Sequence, residues 1–150
     1  MSYVWRATGE EQDAADITTD VFCKALEKIA TYEHRGLPFS AWLYKIAANE
    51  VNTYRRNRKS TLYLEVDFDT IQDLTEHKPD NEAAWLNCLS KSMETLEEED
   101  FNLLQFRFSE DKSFLEIGAI LNITADNAKT KSYRLLKKLK PLIEWCYAKV

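Results

Sequence analysis

The chain has 150 residues, which suits one medium domain or two small ones, and a net charge of −5. Gly and Pro are few, at three each, while Leu, Ala, Glu and Lys are abundant, so we expect an all-α protein. No apolar run approaches the roughly 18 residues that a membrane-spanning helix needs, and the first residues lack the basic start and apolar middle of a secretory signal. We therefore expect no membrane insertion and a cytoplasmic protein.

The first predicted helix runs from about Asp13 to Thr31, with Asp13 or Asp16 as its cap. One of its faces carries Ile17, Val21, Phe22, Ala25 and Ile29. The stretch "HRGLP" then breaks the helix, because Gly36 frees the backbone and Pro38 suits the opening of the next helix.

The second predicted helix continues to about Lys59 and has two different faces. Apolar side chains recur near a 3.6-residue spacing at Phe39, Trp42, Leu43, Ile46, Ala47, Val51 and Tyr54. The opposite side carries Lys45, Asn49, Asn52, Thr53 and Arg56. Amides and cations interleaved with aromatic rings can bind bases and phosphates. We interpret Trp42 as a core residue, with a stacking platform for a base as the alternative.

Residues 61–80 form a predicted acidic linker with a short turn at Thr70–Leu74. The alternation in "LYLEVDFD" would suit a strand, but a lone strand has no partner, so a loop is favoured. Helical spacing returns after Asn81, where Trp85, Leu89 and Met93 recur every four residues. A further helix follows, with the acidic residues 97–100 in its first turn.

The last two predicted helices, "SFLEIGAIL" and "ADNAKTKSYRLLKKLKPLIEW", are joined by the turn "NIT" as a helix-turn-helix. Gly118 allows the two helices to cross closely, and Asn122 tolerates the left-handed backbone of the turn. Thr124 or Asp126 caps the second helix, and Pro141 is predicted to kink or end it.

The second helix of this motif is predicted to bury one side and to expose polar side chains on the other. Ala128, Leu135, Leu136, Leu139 and Ile143 face the core. The exposed N-terminal half carries Asn127, Lys129, Thr130, Lys131, Tyr133 and Arg134. Such side chains contact phosphates and base edges in a major groove. A Lys-rich amphipathic surface helix is the alternative.

Charge supports two nucleic-acid sites. Residues 35–59 hold six basic and one acidic side chain (+5), residues 60–100 hold two and twelve (−10), and residues 129–150 hold seven and one (+6). Local potential, not net charge, decides which ligand docks where.

The three cysteines, Cys23, Cys88 and Cys146, are far apart in the sequence and form no zinc-binding set with the two histidines. We interpret them as reduced, mostly buried thiols. We expect no metal and no other cofactor.

Three stretches together resemble the extracytoplasmic-function sigma factors of bacterial RNA polymerase. "DAADITTDVFCKALEKI" is similar to the polymerase-binding segment of sigma region 2, and "LPFSAWLYKIAANEVNTYRRNRK" to its segment for promoter melting and −10 recognition. "SFLEIGAILNITADNAKTKSYRLLKKL" is similar to region 4, which recognises the −35 element. Of the family's usual first helix, only "SYVWRA" remains. The resemblance implies a region 2-like helical bundle at 1–60 and a region 4-like helix-turn-helix at 81–150, joined by the linker.

The resemblance also implies roles for single residues. Asp16, Thr19 and Asp20 would bind core polymerase. Their target on the polymerase would be the clamp coiled coil of the largest subunit. The melted −10 strand would be bound by Arg35, Phe39, Ser40, Lys45, Asn49, Asn52, Thr53, Arg55, Arg56 and Arg58. The −35 duplex would be bound by Asn127, Lys129, Thr130, Lys131, Tyr133, Arg134 and Lys138.

The implied function is promoter-specific initiation of transcription. The expected partners are core RNA polymerase (clamp and flap), promoter DNA and, as a further candidate, an anti-sigma factor. Two alternatives stay open: a helix-turn-helix regulator that binds duplex DNA without polymerase, and a sigma-like decoy that binds only an anti-sigma protein. We expect no enzyme, because the sequence has no Gly-rich phosphate loop, no HExxH motif and no nucleophile–base set.

Overall fold

The computed structural model describes residues 2–58 and 79–150, and all regular structure within these ranges is helical, which confirms the predicted all-α class. The helices are α1 (Ser2–Thr8), α2 (Glu11–Lys28), α3 (Phe39–Asn57), α4 (Glu82–Met93), α5 (Glu98–Leu104), α6 (Phe114–Leu121) and α7 (Ala125–Tyr147). Within the described ranges, none of the helices combines the length and apolar character that crossing a membrane requires. The predicted linker and its turn lie outside the described residues, apart from positions 79 and 80.

Helix α1 consists of the segment "SYVWRA" and Thr8. Tyr3, Val4 and Ala7 are fully buried. α1 packs against α2 and α3, and it also contacts the C-terminal half of the structure (residues 79–150). There the Tyr3 hydroxyl donates a 2.6 Å hydrogen bond to Asn102 Oδ1, and its ring lies 4.8 Å from that of Phe106. α1 therefore joins the N-terminal half (residues 2–58) to the C-terminal half.

Helix α2 begins two residues earlier than predicted. Gly9, at a φ of +71°, ends α1, and the chain enters α2 through Glu10, whose side chain makes no capping hydrogen bond. The predicted caps Asp13 and Asp16 are wrong, because both residues lie inside the helix. The Asp13 carboxylate instead accepts hydrogen bonds from the Tyr54 hydroxyl and the Arg58 guanidinium of α3.

The buried face of α2 is also narrower than predicted. Ile17, Val21 and Ala25 are buried, but Phe22 and Ile29 are about half exposed, at 49% and 47%. Phe22 follows Val21 and therefore lies about 100° further around the helix, beyond the edge of the buried stripe. Ile29 belongs to a 3₁₀ turn, Ile29–Thr31, that follows α2. Together with the exposed Leu26, Phe22 and Ile29 form an apolar strip along α2 and the 3₁₀ turn that follows it.

Helix α3 follows a break at Gly36, which has a φ of +75° as the predicted turn requires. Pro38 precedes its first residue, at a φ of −56° and a ψ of 144°. Of the predicted apolar stripe, the structure buries Ile46, Ala47 and Val51, half-buries Trp42, Leu43 and Tyr54, and leaves Phe39 43% exposed.

The helix-turn-helix has the local chemistry that its sequence predicts. Asn122 adopts the left-handed conformation, at a φ of 58° and a ψ of 44°, and the Thr124 side chain caps α7 by accepting a hydrogen bond from the Asn127 backbone. A Cβ on Gly118 would lie 2.6 Å from the Ile123 carbonyl oxygen, so only glycine fits where the helices cross. Ser113 and Glu116 add a reciprocal capping box at the start of α6. All five predicted core residues of α7 are buried.

One expectation for the C-terminal half is wrong in part and another is wrong. Helix α7 continues through Pro141 to Tyr147, so the proline does not end the helix, and the alternative of a kink stays a prediction. The fully buried Ile143 lies in the turn beyond the proline. Cys88 and Cys146 form a disulfide between α4 and α7, so they are not reduced thiols, and Cys23 is exposed instead of buried. The two cysteines are 58 residues apart in sequence, and only the packing of α4 against α7 brings them together.

Candidate nucleic-acid interface

The polar face of α3 holds the candidate single-strand site. Lys45, Asn49, Asn52 and Arg56 are spaced by four, three and four residues, so they lie along one side of the helix. The structure divides this side into two parts. Lys45 and Asn49 line a cavity of about 450 Å³, whereas Asn52 and Arg56 contact the C-terminal half.

The cavity combines aromatic rings with cations. The ring centroids of Tyr32, Phe39 and Trp42 are 5.1–5.2 Å from one another. Tyr32 and Trp42 line the cavity, while Phe39 is exposed beside them. Trp42 also packs on the core, so the two interpretations of this residue are not exclusive.

Cations and amides complete the cavity wall. The predicted residues Arg35, Lys45 and Asn49 line it, together with Lys28, which the sequence analysis missed along with Tyr32. Rings that can stack on a base, beside cations that can neutralise a phosphate, are the chemistry of single-stranded nucleic-acid sites. The signal that could have indicated Lys28 and Tyr32 is their position just before the "HRGLP" break, which returns the chain to the start of α3.

Arg55 and Arg56 are engaged with the C-terminal half. The Arg56 guanidinium binds the Glu98 carboxylate through two hydrogen bonds of 2.6 and 3.2 Å. The Arg55 guanidinium carbon lies 3.7 Å from the centroid of the Phe101 ring. Burial lowers the pKa of Arg55, and its buried Nη1 has no hydrogen-bond acceptor among the described residues.

Arg58, Ser40 and Thr53 lie apart from the cavity and from the contact with the C-terminal half, and Arg35 of the cavity wall also has a carboxylate partner. Arg58 forms an ion pair of 2.6 Å with Asp13 on α2. Arg35 forms a weaker one of 3.4 Å with its neighbour Glu33. Ser40 is half-buried, and the exposed Thr53 donates its hydroxyl to the Asn49 carbonyl in the same helix. The ten residues therefore do not form one open surface in this structure.

The predicted duplex-binding residues of α7 lie on one exposed side, with a single exception. Asn127, Lys129, Thr130, Tyr133, Arg134 and Lys138 are exposed. Lys131 is half-buried, and its ammonium binds Glu99 at 2.8 Å and Asp100 at 3.0 Å. Burial opposes the charge of Lys131, but the hydrogen bonds to the two carboxylates outweigh it and raise the pKa of this side chain.

The predicted polymerase-binding residues Asp16, Thr19 and Asp20 are exposed on α2. Asp16 accepts a hydrogen bond from Gln12, and the Thr19 hydroxyl donates to the Ala15 carbonyl, so both side chains stay on the helix surface. An apolar strip of Phe22, Leu26 and Ile29 is exposed on the same helix. Leu26 is 73% exposed and was not predicted as part of this surface, because no local sequence signal distinguishes an exposed leucine from a buried one on this helix.

Comparisons with known proteins agree on one family. Residues 1–61 match the family Sigma-70 region 2. The chain is 30% identical over 148 residues to the RNA polymerase sigma factor YlaC of Bacillus subtilis, covering 93% of this chain and 83% of YlaC. It is 27% identical over 153 residues to the ECF RNA polymerase sigma factor SigW of the same organism, covering 92% and 81%.

Two further comparisons bear on length and fold. The chain is 27% identical over 146 residues to the ECF RNA polymerase sigma factor BldN of Streptomyces coelicolor, covering 94% of this chain but only 54%, about half, of BldN. Its structure superposes on the sigma factor RpoE of Bartonella quintana, solved in complex with the anti-sigma factor NepR, with a TM-score of 0.62. That match covers 95% of this chain and 88% of RpoE, and at 19% identity it shows a common fold.

Proposed function

Because the chain belongs to the sigma-70 family of RNA polymerase sigma factors, in its extracytoplasmic-function group, we propose that it binds core RNA polymerase and directs it to promoters. It contributes recognition and strand capture, and no catalytic step. Its place of action in this proposal is the cytoplasm, where core polymerase works. The comparisons do not favour a regulator independent of polymerase or a decoy for an anti-sigma protein.

We propose that the cavity beside α3 captures an unpaired base of the −10 strand. This is the observation that carries the proposal: the lining of a cavity of about 450 Å³ includes two aromatic rings, three cations and two amides. A base can stack on Tyr32 or Trp42, and Asn49 can bind its edge. Lys45 and Arg35 neutralise the adjoining phosphates. Once DNA displaces the carboxylates that now bind Arg56 and Arg58, these two cations bind the next phosphates of the strand.

We propose that α7 binds the −35 duplex in the major groove. The helix-turn-helix geometry supports this proposal, because it presents the N-terminal half of α7 away from the core. Arg134 and Asn127 are the candidates for contacts with base edges, and Lys129 and Lys138 for contacts with phosphates. Residues 1–60 and 81–150 would then act as the two DNA-binding domains, and the end of the region 2 match at residue 61 supports this division.

We propose that core polymerase docks on α2. The acidic residues Asp16 and Asp20 and the exposed Phe22, Leu26 and Ile29 support it, because apolar side chains left uncovered on a helix are typical of interfaces. The family resemblance further suggests that the C-terminal half contacts the flap of core polymerase. RpoE binds the anti-sigma factor NepR, which supports an anti-sigma factor as a further partner of this chain.

Run-off transcription tests the proposed function. Core polymerase should initiate at discrete sites on sheared genomic DNA only when this protein is added, and the sites should share one −35 and one −10 sequence. The regulator alternative instead predicts binding of duplex DNA without polymerase. The decoy alternative predicts neither duplex binding nor initiation of transcription. Identical transcripts with and without the protein would exclude the proposed function.

A further inference from the structure

Lys131 differs in its surroundings from the other lysines that are predicted to bind the duplex. Lys129 and Lys138 are exposed and have no carboxylate partner among the described residues, whereas Lys131 is half-buried. Its ammonium lies 2.8 Å from a Glu99 carboxylate oxygen and 3.0 Å from one of Asp100, both in the first turn of α5. One positive charge between two negative ones does not attract a DNA phosphate.

Lys131 also lies at the boundary between the two sides of α7. Ala128 and Leu135, three residues before it and four after, are buried. Asn127 and Arg134, four residues before it and three after, are exposed. Residues at these spacings are direct neighbours on a helix surface. The contact with α5 therefore holds α7 beside the two side chains that are the candidates for contacts with base edges.

Helix α5 is a firm support for this contact. Glu99 and Asp100 immediately precede the fully buried Phe101, and α5 packs against α7. Apolar packing is not directional, so the buried side of α7 alone leaves some freedom of rotation about the helix axis. Two ion pairs at one edge of that side are directional, and they select one rotation.

We propose that Lys131 is a positioning residue for duplex recognition and does not itself bind DNA: through Glu99 and Asp100 it fixes the rotation of α7, so that Asn127 and Arg134 meet the base edges. This inference rests on the proposed binding of the −35 duplex by α7. It leaves Lys129 and Lys138 as the lysines of α7 that contact phosphates.

Removal of the two carboxylates is a test in which charge and positioning predict opposite results. Glu99→Gln with Asp100→Asn takes away two negative charges near the DNA, so charge alone would strengthen binding to any duplex. Loss of positioning should instead weaken binding to the −35 duplex that run-off transcription selects, about two- to tenfold, and should not weaken binding to a scrambled duplex. Anisotropy of both labelled duplexes is measured with holoenzyme assembled from core polymerase and the full chain.

Glu94→Gln with Glu97→Gln is the matched control, because it removes the same number of negative charges. Both residues are exposed, and neither has an ion-pair partner among the described residues. This control should keep the wild-type discrimination, which is the ratio of the affinities for the selected and the scrambled duplex.

Substitution of Lys131 itself separates positioning from phosphate binding. Lys131→Met should weaken binding to the selected duplex, yet it should leave the slope of log affinity against log salt concentration unchanged. Lys129→Met should lower that slope by about one. Adding Lys131→Met to the carboxylate variant should cause no further loss, since the same contact is already broken. Lys131→Arg keeps a cation beside both carboxylates and should retain the wild-type discrimination.

Unchanged or improved discrimination in the carboxylate variant would overturn the inference, as would a salt slope that falls by about one in Lys131→Met. Circular dichroism establishes that every variant is folded at the temperature of the assay. A wild-type holoenzyme that binds the selected and the scrambled duplex equally would contradict the proposed function of α7 and the inference with it. Discrimination by the wild type that survives in the carboxylate variant would contradict the inference alone.

Discussion

At the scale of single residues, Asn49 separates strand capture from duplex binding. Its exposed amide lines the cavity on α3, far along the chain from α7. We expect Asn49→Ala to weaken promoter opening about two- to tenfold, because one amide contact to a base edge is lost. A fluorescent adenine analogue in the −10 element measures opening, and anisotropy of a −35 duplex should stay unchanged.

Asn57→Ala is the control for Asn49, because it removes an exposed amide from the last residue of the same helix without touching the cavity. It should leave both measurements unchanged. Equal losses of opening and of duplex binding in Asn49→Ala would contradict the assignment of α3 to unpaired DNA.

Substitution of Arg134 tests whether α7 binds the −35 duplex. Its side chain is exposed on the proposed duplex-binding surface. We expect Arg134→Ala to weaken binding of the −35 duplex by about 1–3 kcal/mol if the guanidinium contacts a base. Lys149→Ala removes a cation that lies over Trp145 at the end of the chain, and it should have little effect. Unchanged duplex affinity in Arg134→Ala would exclude this docking.

At the scale of elements, Gly118 fixes the crossing of α6 and α7. An added Cβ would meet the Ile123 carbonyl oxygen at 2.6 Å, so the turn must move. We expect Gly118→Ala to lower the free energy of unfolding by about 1–3 kcal/mol and to weaken duplex binding. Urea titration measures the first quantity. Wild-type stability in this variant would mean that the helices can separate without cost.

The disulfide between α4 and α7 offers a second test at this scale. The cross-link spans 58 residues of sequence, for which chain entropy predicts a stabilisation of up to about 4 kcal/mol. Cys146→Ser should therefore lower the melting temperature, whereas Cys23→Ser should not, since that thiol is free and exposed. Thiol titration of the unreduced protein should find one free thiol per chain. Three would contradict the disulfide.

Local rules explain why the helix-turn-helix was predictable and the disulfide was not. Asn122, Gly118 and Thr124 act on neighbours within a few residues, so their spacing alone indicates the turn. The caps expected at Asp13 and Asp16 are wrong because α2 begins at Glu11, ahead of both residues, and Asp13 instead binds Tyr54 and Arg58 of α3. Cys88 and Cys146 meet only through the packing of α4 on α7, which no local pattern encodes.

At the scale of the whole molecule, the distribution of charge along the sequence indicated two basic helices. It did not indicate that the C-terminal half contacts the polar face of α3. The sequence placed Arg56 among DNA-binding residues because of its position on α3. Its partner Glu98 is 42 residues further along the chain and was expected only to favour the start of its own helix. The charge of each half therefore predicted two basic helices, whereas the contact between the halves required the structure.

Promoter opening with and without core polymerase tests the central claim, that α3 binds the melted strand while α7 holds the duplex. A fluorescent adenine analogue placed in the −10 element should brighten only when core polymerase and this protein are both present. With Asn49→Ala at limiting protein, the brightening should be about two- to tenfold weaker. Brightening with core polymerase alone, or none with both components on any promoter selected by run-off transcription, would contradict the account.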